Sequence, residues 1–155
     1  WVDNATQPDF CPSIAGNSSE DRFGCIDSDA DGWSNPDFNW TIDNNADAFP
    51  FEPSQWADRD RDGWGDNQDP MAKLIDDFPD NPTQWRDSDR DGYGDNQTLG
   101  AWQVDNFTTD YTQWTDFDGD GYGDNQSGFR PDSCMFSPTA QVDEGRISIF
   151  DRYGC

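Results

Sequence analysis

Aspartate recurs at every second position in four short segments of the chain, and each triplet is followed by a glycine and an aromatic residue. The segments start at Asp27, Asp58, Asp87 and Asp116. Alternate aspartates in a tightly turning loop project their carboxylates onto one centre, which suits a hard divalent cation that takes about six to eight oxygen ligands. The glycine permits the sharp turn, and the aromatic residue after it can offer its backbone carbonyl oxygen. The spacing therefore predicts four Ca²⁺-binding loops.

The twelfth position of each loop argues against an EF-hand, which needs a bidentate glutamate there and an amphipathic helix on each side. The residues at that position are Phe38, Asp69, Thr98 and Ser127. No helical pattern flanks the loops, so the remaining ligands must come from elsewhere in the chain. The best candidates are the aspartates that recur behind the loops, Asp47, Asp76, Asp105 and Asp132.

Position nine of the loop is aspartate in three copies and Asn35 in the first, where Asp37 can compensate for the missing charge. The predicted ligands are Asp27, Asp29, Asp31, Trp33, Asn35, Asp37, Asp47, Asp58, Asp60, Asp62, Trp64, Asp66, Asp69, Asp76, Asp87, Asp89, Asp91, Tyr93, Asp95, Asp105, Asp116, Asp118, Asp120, Tyr122, Asp124 and Asp132. We expect at least four Ca²⁺ ions. Carboxylates this close repel one another without a cation, so metal binding and folding should be one event.

The loops recur with a regular period, because their first aspartates are 31, 29 and 29 residues apart. Between them an Asp-x-Phe sequence leads to a Gln-Trp pair, as in Asp47 to Trp56. A period of this length marks a tandem-repeat array. The predicted divisions are an N-terminal half-repeat over 1–26, repeats over 27–57, 58–86 and 87–115, the loop of a fourth repeat over 116–133, and a C-terminal disulfide segment over 134–155.

The composition makes an ordinary hydrophobic core hard to build. Of the 155 residues only 32% are apolar, and 33 acidic against 9 basic residues give a net charge of -24. Such chains usually stay disordered, but an aromatic content of 15% and the regular placement of the acids favour order. Pro, Gly, Asn and Asp interrupt every candidate helix. We predict an irregular fold with little regular secondary structure, a calcium-stabilised repeat array with short extended segments.

The aromatic residues follow the repeat and have two interpretations. In the first they pack as small clusters between successive calcium layers; in the second, exposed Trp and Tyr side chains form a carbohydrate-binding face. Their strict periodicity favours packing, because each repeat must bury something against its neighbour. The residues concerned are Trp33, Trp64, Tyr93, Tyr122, Phe49, Phe78, Phe107, Trp56, Trp85 and Trp114.

The four cysteines form two groups, and the chain has no histidine, so zinc and haem sites are not expected. Four cysteines allow three pairings. Similar residues frame both groups, which makes the local pairs Cys11–Cys25 and Cys134–Cys155 the economical choice, with four buried free thiols as the alternative. Disulfides imply an oxidising compartment, so we expect an extracellular or cell-surface protein.

Six Asn-x-Ser/Thr triplets could accept N-linked glycans. The asparagines are Asn4, Asn17, Asn39, Asn96, Asn106 and Asn125. This number exceeds what so short a rule produces by chance and favours an exported glycoprotein. The alternative is that a chain rich in Asn, Ser and Thr contains such triplets without using them.

The DxDxDGxGDN loops and the intervening DxFP…QW segments resemble thrombospondin type 3 repeats, in the variant found in microbial surface proteins. The resemblance extends over nearly the whole chain from Asp9 onward. It implies a chain wound around a file of Ca²⁺ ions, an extracellular location and a structural or adhesive role. The first copy departs from the pattern at Ser34, Asn35 and Pro36, and the third connector has Thr108 in place of proline. The first copy is therefore expected to bind calcium least.

Charge and residue types also bear on other functions. A strongly acidic chain repels phosphate, so nucleic acid is not an expected partner. No apolar run approaches the length of a membrane-spanning helix, so no membrane insertion is expected. The chain has no histidine and its cysteines are expected to be bridged, so it offers no evident nucleophile with a base. We expect no enzymatic activity.

Both ends of the chain fall inside repeats. Residues 1–4 match residues 64–67, the end of a loop, and residues 154–155 match residues 24–25, which a loop follows at once. The chain is therefore expected to be either a segment of a longer array or a subunit that joins head to tail, which generates an open fibre unless it closes into a ring. We expect a subunit of a surface filament. The alternative is a calcium-dependent adhesin that binds glycans or cell-surface proteins.

Overall fold

The computed structural model describes residues 8–133. The chain divides into two compact units, Trp1–Pro82 and Thr83–Cys155. The first unit contains the loops that begin at Asp27 and Asp58, and the second contains those that begin at Asp87 and Asp116. The predicted Cys134–Cys155 disulfide, the C-terminal disulfide segment over 134–155 and the Asn4 triplet lie outside the described residues.

Regular secondary structure is almost absent from residues 8–133, as the sequence predicts. The described part contains one 3₁₀ helix, Ile42–Asn44, which ends where Asn45 adopts a left-handed conformation with a φ of 67°. It also contains three isolated parallel bridges, which pair Gly65 with Ile75, Gly94 with Val104, and Gly123 with Pro131. Each bridge joins the end of an aspartate loop to the segment that follows it.

The buried residues are mostly polar. Among the described residues, Cys25 and Ala46 are the buried hydrophobic side chains. The largest fully buried side chains are instead Gln55, Gln84, Gln113, Asp47, Asp76, Asp105 and Asp132. Buried polar groups must find hydrogen bonds or ions to offset the loss of water, so this interior depends on specific partners rather than on apolar area.

In the first unit a disulfide joins Cys11 to Cys25, as predicted. The chain passes close to the bridge at Gly16, where an added Cβ would lie 1.9 Å from the carbonyl oxygen of Cys25. Phe10 donates a backbone hydrogen bond to Phe23, which closes the same segment. The bridge and these contacts hold the chain together immediately before the first aspartate loop.

Aromatic stacking pairs a loop residue with a Trp residue farther along the chain in each unit. In the first unit Trp33 stacks on Trp56, with ring centroids 6.2 Å apart and planes 4° from parallel. In the second unit Tyr93 stacks on Trp114 at 5.1 Å and 5°. Such offset pairs add about 0.5–1.5 kcal/mol each beyond the area that they bury. These stacks agree with the packing interpretation of the periodic aromatics.

Candidate metal centre

Each of the four aspartate triplets brings its carboxylates together. One carboxylate oxygen from each member of a triplet lies within 4.8 Å of the others. The triplets are Asp27, Asp29 and Asp31; Asp58, Asp60 and Asp62; Asp87, Asp89 and Asp91; and Asp116, Asp118 and Asp120. Each of these clusters could hold a metal ion.

The first aspartate of each triplet organises the turn. In the second loop Asp58 accepts hydrogen bonds from the backbone N–H groups of Arg61, at 2.6 Å, and Gly63, at 3.0 Å. Both donors have positive φ, 69° for Arg61 and 93° for Gly63. The left-handed conformation costs roughly 1–2 kcal/mol for a residue with a side chain, so these hydrogen bonds offset strain in the turn. Asp27, Asp87 and Asp116 make the equivalent bonds.

The residue at position nine closes the loop. The Asp66 N–H donates to the carbonyl oxygen of Ala57 at 2.9 Å, and one Asp66 carboxylate oxygen accepts from the Arg59 N–H. Asn35, Asp95 and Asp124 close their loops with the same two kinds of bond. The position-nine side chain is thereby held at the base of the loop, beside the first two residues of the triplet segment.

Backbone hydrogen bonds hold the aspartates that were predicted to complete the loops, which we call the distal aspartates, against those loops. The Asp76 N–H donates to the Gly65 carbonyl at 3.0 Å, and one Asp76 carboxylate oxygen accepts from the Phe78 N–H at 2.7 Å. The same backbone bond links Asp47 to Ser34, Asp105 to Gly94, and Asp132 to Gly123. All four side chains are fully buried or nearly so. Each distal aspartate is therefore anchored to the loop that precedes it.

Buried carboxylate oxygens without a hydrogen-bond partner mark the centres of these clusters. Within residues 8–133 they are the Oδ2 atoms of Asp29, Asp31, Asp47, Asp60, Asp62, Asp76, Asp89, Asp91, Asp105 and Asp118, and the Oδ1 atom of Asp124. They belong to the second and third triplet positions, position nine and the distal aspartate. An unpaired buried carboxylate oxygen is costly unless a cation coordinates it.

The electrostatics of the distal aspartates agree with this geometry. Burial, together with repulsion from Asp31, Asp29 and Asp27, raises the pKa of Asp47 to about 7. Burial and repulsion from the nearest loop likewise raise the pKa of Asp76 and of Asp105 to about 7. The carboxylates that act on each distal aspartate are thus those of the loop before it. Each cluster concentrates negative charge that a divalent cation would neutralise.

The donor set fits a hard cation. Every side chain that converges at these clusters offers oxygen, and the described part of the chain holds its two cysteines in a disulfide. Hard cations such as Ca²⁺ and Mg²⁺ prefer carboxylate oxygen, whereas thiolate and imidazole select transition metals. In the second loop the residues that would hold such an ion are the triplet Asp58, Asp60 and Asp62 together with Asp66 and Asp76.

A buried glutamine supports the later loops, and its role is not evident from the repeat pattern alone. Gln55 accepts a hydrogen bond at Oε1 from the Asn67 N–H, at 2.9 Å. Its Nε2 donates to the backbone carbonyls of Asn67, at 3.2 Å, and Lys73, at 2.7 Å. Gln84 and Gln113 repeat this arrangement, which we call the glutamine clamp. The clamp ties the end of each loop to the segment that carries the distal aspartate.

The clamp explains the second glycine of the loop. A Cβ added to Gly65 would lie 2.0 Å from Gln55 Oε1, so no side chain fits there. Gly94 and Gly123 are in the same relation to Gln84 and Gln113. In the three later loops, a Gln three residues before the loop accompanies a Gly at its eighth position. This pairing is the sequence signal that could have revealed the contact.

The first loop replaces the clamp with a different network. Gly24 and Ser34 occupy the two positions of the Gln–Gly pair. Asp21 accepts hydrogen bonds from the Ser34 N–H at 2.8 Å and the Ser34 hydroxyl at 2.5 Å. Arg22 donates to the same hydroxyl from Nε at 3.1 Å. Ser34 is fully buried, and its hydroxyl is bonded to Asp21 and Arg22 at the position that glycine holds in the other loops.

Two predicted ligands lie apart from the carboxylate clusters. Asp37 is exposed and forms an ion pair with Arg22 at 2.6 Å, which lowers its pKa. Asp69 is exposed and accepts a hydrogen bond from the Met71 N–H at 2.8 Å.

At position nine of the first loop, the side-chain amide of Asn35 accepts a hydrogen bond from the Ser28 N–H and donates one to the Ser28 hydroxyl. The first loop therefore converges with one carboxylate fewer than the second.

The aromatic residues at position seven take part through the backbone. Their N–H groups donate to Oδ1 of the third aspartate, as from Trp33 to Asp31 at 2.8 Å. Trp64, Tyr93 and Tyr122 make the equivalent bond. Each bond holds the third carboxylate in place. In the first three loops the Oδ2 oxygen of that carboxylate is buried and has no hydrogen-bond partner.

No helix in the described part of the chain is long and apolar enough to cross a membrane. Comparison with protein-family models gives no match for this chain, and no curated protein matches it.

Proposed function

We propose that this chain is an extracellular calcium-binding structural protein and not an enzyme. One observation carries the proposal. In the first three loops, buried carboxylate oxygens without hydrogen-bond partners belong both to the triplet and to the distal aspartate that its charges act on. A cation at that point joins segments that are distant in sequence, and so replaces the missing hydrophobic core. Such a cluster stabilises the fold only when it is loaded.

Calcium is the ion that we infer for these clusters. The second loop gathers carboxylates from Asp58, Asp60, Asp62, Asp66 and Asp76, and Ca²⁺ accepts such crowded oxygen sets in flexible geometry. Mg²⁺ requires near-ideal octahedral geometry and keeps several waters, so it is normally bound by only one or two carboxylates. Extracellular calcium modules bind at about 10⁻⁴ to 10⁻³ M, which matches a protein that folds outside the cell.

The family that we propose is that of the thrombospondin type 3 repeats. The repeat sequence, the near absence of regular secondary structure and the four carboxylate clusters support this assignment. The Cys11–Cys25 disulfide supports an oxidising location.

Calorimetric titration of the full chain with Ca²⁺ and with Mg²⁺ tests the proposal, together with thermal melts followed by circular dichroism. We expect Ca²⁺ to bind with the higher affinity and to raise the melting temperature, because it joins the distal aspartates to their loops. Asp76→Asn should weaken one site, whereas Asp77→Asn removes the same charge from an exposed neighbour and should not. A melting profile unchanged by chelator would refute the structural role of calcium.

We further propose that copies of the chain assemble head to tail into a filament. Electron microscopy of the full-length protein with and without EDTA tests this directly. Filaments that form in calcium and disperse in EDTA are the expected result. A monodisperse monomer in millimolar calcium, measured by light scattering, would contradict it.

An adhesive function is the second candidate. The second unit exposes Trp102, Tyr111 and Phe129, each by two thirds or more of its surface. Aromatic rings of this kind can recognise glycans or partner proteins. Binding on a glycan array that is lost with chelator and with Trp102→Ala would favour adhesion, and binding to no glycan would leave the structural role alone.

A further inference from the structure

Five of the six Asn-x-Ser/Thr triplets lie among the described residues, and they fall into two groups. Asn96 and Asn125 stand at position ten of an aspartate loop, inside the glutamine clamp. Asn17, Asn39 and Asn106 are exposed and stand outside the clamps. Triplets that satisfy the same acceptor rule therefore occupy very different surroundings.

The clamped asparagines use their side chains to hold the loop. Asn96 donates from Nδ2 to the carbonyl oxygen of Thr83 at 2.8 Å, and its Oδ1 accepts from the Thr98 N–H at 3.1 Å. Asn125 makes the same pair of bonds to Thr112 and Ser127, at 2.8 and 3.1 Å. In both cases the nitrogen that would carry a glycan lies against backbone.

Asn67 shows that this arrangement serves the fold rather than modification. Its Nδ2 donates to the Ser54 carbonyl at 2.8 Å, and its Oδ1 accepts from the Asp69 N–H at 3.1 Å. The residue two positions later is aspartate, so Asn67 belongs to no acceptor triplet. The triplets at Asn96 and Asn125 thus arise because Thr or Ser happens to follow a structural asparagine.

The exposed asparagines have the opposite character. Within residues 8–133 the side-chain amides of Asn17, Asn39 and Asn106 make no hydrogen bond, while their surroundings are ordered by backbone bonds. The Asn39 N–H donates to Asp37, and the Asn106 N–H donates to the Trp114 carbonyl. A side-chain amide that makes no hydrogen bond and is exposed on an ordered backbone is accessible to a modifying enzyme.

We propose that N-linked glycans are attached at Asn17, Asn39 and Asn106, and that the folded chain withholds Asn96 and Asn125. In the transfer, Nδ2 forms a bond to the anomeric carbon of the sugar and gives up one proton to the departing lipid phosphate. The bond from that carbon to the phosphate oxygen of an activated, lipid-linked glycosyl donor breaks, and the lipid phosphate leaves. The enzyme must surround the amide nitrogen during this step, which a closed clamp prevents.

The test is glycosyl transfer in vitro to the folded, calcium-saturated full chain. A sequon-specific oligosaccharyltransferase and a lipid-linked oligosaccharide are supplied, and site occupancy is read by glycopeptide mass spectrometry. Occupancy at Asn96 and Asn125 should be at least about tenfold below that at Asn39, because the clamp must open first. Equal occupancy at the clamped and exposed sites, or no transfer to the exposed sites, would overturn the proposal.

Two variants separate the clamp from the sequence of the triplet. Gln84→Ala removes the clamp around Asn96 and should raise its occupancy, with Asn125 as the internal control. A gain at both sites would show that the folded unit protects both, and no gain at Asn96 would overturn the proposal. Asp69→Thr creates an acceptor triplet at Asn67, which should remain unmodified. The inference rests on export of the chain but not on calcium affinity, which calorimetry measures independently.

Discussion

The loops that begin at Asp27 and Asp58 form the same aspartate cluster with different supports. The second loop uses the clamp of Gln55 against Gly65, whereas the first uses Ser34 bonded to Asp21 and Arg22. In both, the first aspartate accepts from the same two backbone positions, and a buried distal aspartate bonds to position eight. The cluster is therefore separable from the scaffold that holds it. The scaffold can change as long as position eight stays buried and bonded.

The two supports should respond differently to removal of calcium, and this is the largest effect that we expect. The first loop follows a disulfide that closes a 14-residue separation, worth about 3 kcal/mol in the chain-entropy estimate. The second loop has no disulfide beside it among the described residues, and only hydrogen bonds and the exposed ion pairs of Arg59 and Arg61 oppose repulsion among its carboxylates. In EDTA, amide exchange should accelerate more over residues 58–66 than over residues 18–34. Equal acceleration in both would show that the disulfide and the Ser34 network do not stabilise the first loop.

Acid should partly restore the order that is lost in EDTA. The raised pKa of Asp76, about 7 against 3.8 for the ordinary side chain, means that the folded state keeps a proton that the unfolded state has released. Stability of the metal-free protein therefore falls as pH rises from about 4 to about 7. Asp47 has the same raised pKa, so both loops should follow this trend. Circular dichroism in EDTA across this range checks it, and order that increases with pH would contradict it.

Gly65→Ala should destabilise the second loop by about 1–3 kcal/mol, since the new methyl group overlaps the buried Gln55 amide. Denaturant unfolding in saturating calcium measures the cost. The double variant with Gln55→Ala relieves the overlap, so the two changes should be non-additive. Ser34→Ala in the first loop is the comparison. It leaves room for the methyl group but removes the bonds to Asp21 and Arg22.

Exchanging the charge at position nine should narrow the difference in calcium affinity between the loops. Asn35→Asp adds a carboxylate to the first loop, and Asp66→Asn removes one from the second. The third loop shows that the first can accept the change, because Ser88 donates to Asp95 from both its N–H and its hydroxyl. Each change should alter affinity by about tenfold, or 1.4 kcal/mol, in opposite directions. Calorimetry checks this, and a loss of affinity in Asn35→Asp would contradict it.

The smallest effect concerns the Arg22–Asp37 ion pair. Asp37→Asn should change stability very little, because the carboxylate is exposed and the ion pair is screened by solvent. Calcium affinity of the first loop should stay unchanged, since Asp37 pairs outside the cluster. Reduced affinity in Asp37→Asn would restore Asp37 as a ligand. Arg22→Ala, which also removes bonds to the buried Ser34, should cost more.

The features that sequence alone determined are local ones. Alternate aspartates within a seven-residue turn bring their carboxylates together whatever the rest of the chain does. The clusters at Asp27, Asp58, Asp87 and Asp116 could therefore be predicted from the spacing. The near absence of helices and strands follows from the frequency of Pro, Gly, Asn and Asp. The Cys11–Cys25 pairing follows from a short separation in matching frames. The period also identified the distal aspartates as candidates and grouped each one with the loop before it in a single repeat, but it gave no contact between them.

Only the tertiary structure decided that each distal aspartate bonds to the loop before it and that Gln55 reaches residues 12 and 18 positions ahead. It also separated the clamped Asn96 from the exposed Asn39, although their triplets are equivalent in sequence. It further placed Asp37 with Arg22 rather than in the first cluster. These contacts depend on the path of the chain between distant residues, and a polar interior has many alternative partners at similar cost. The spacing of the aspartates determines the geometry of a loop, but the path of the chain determines which residues support it.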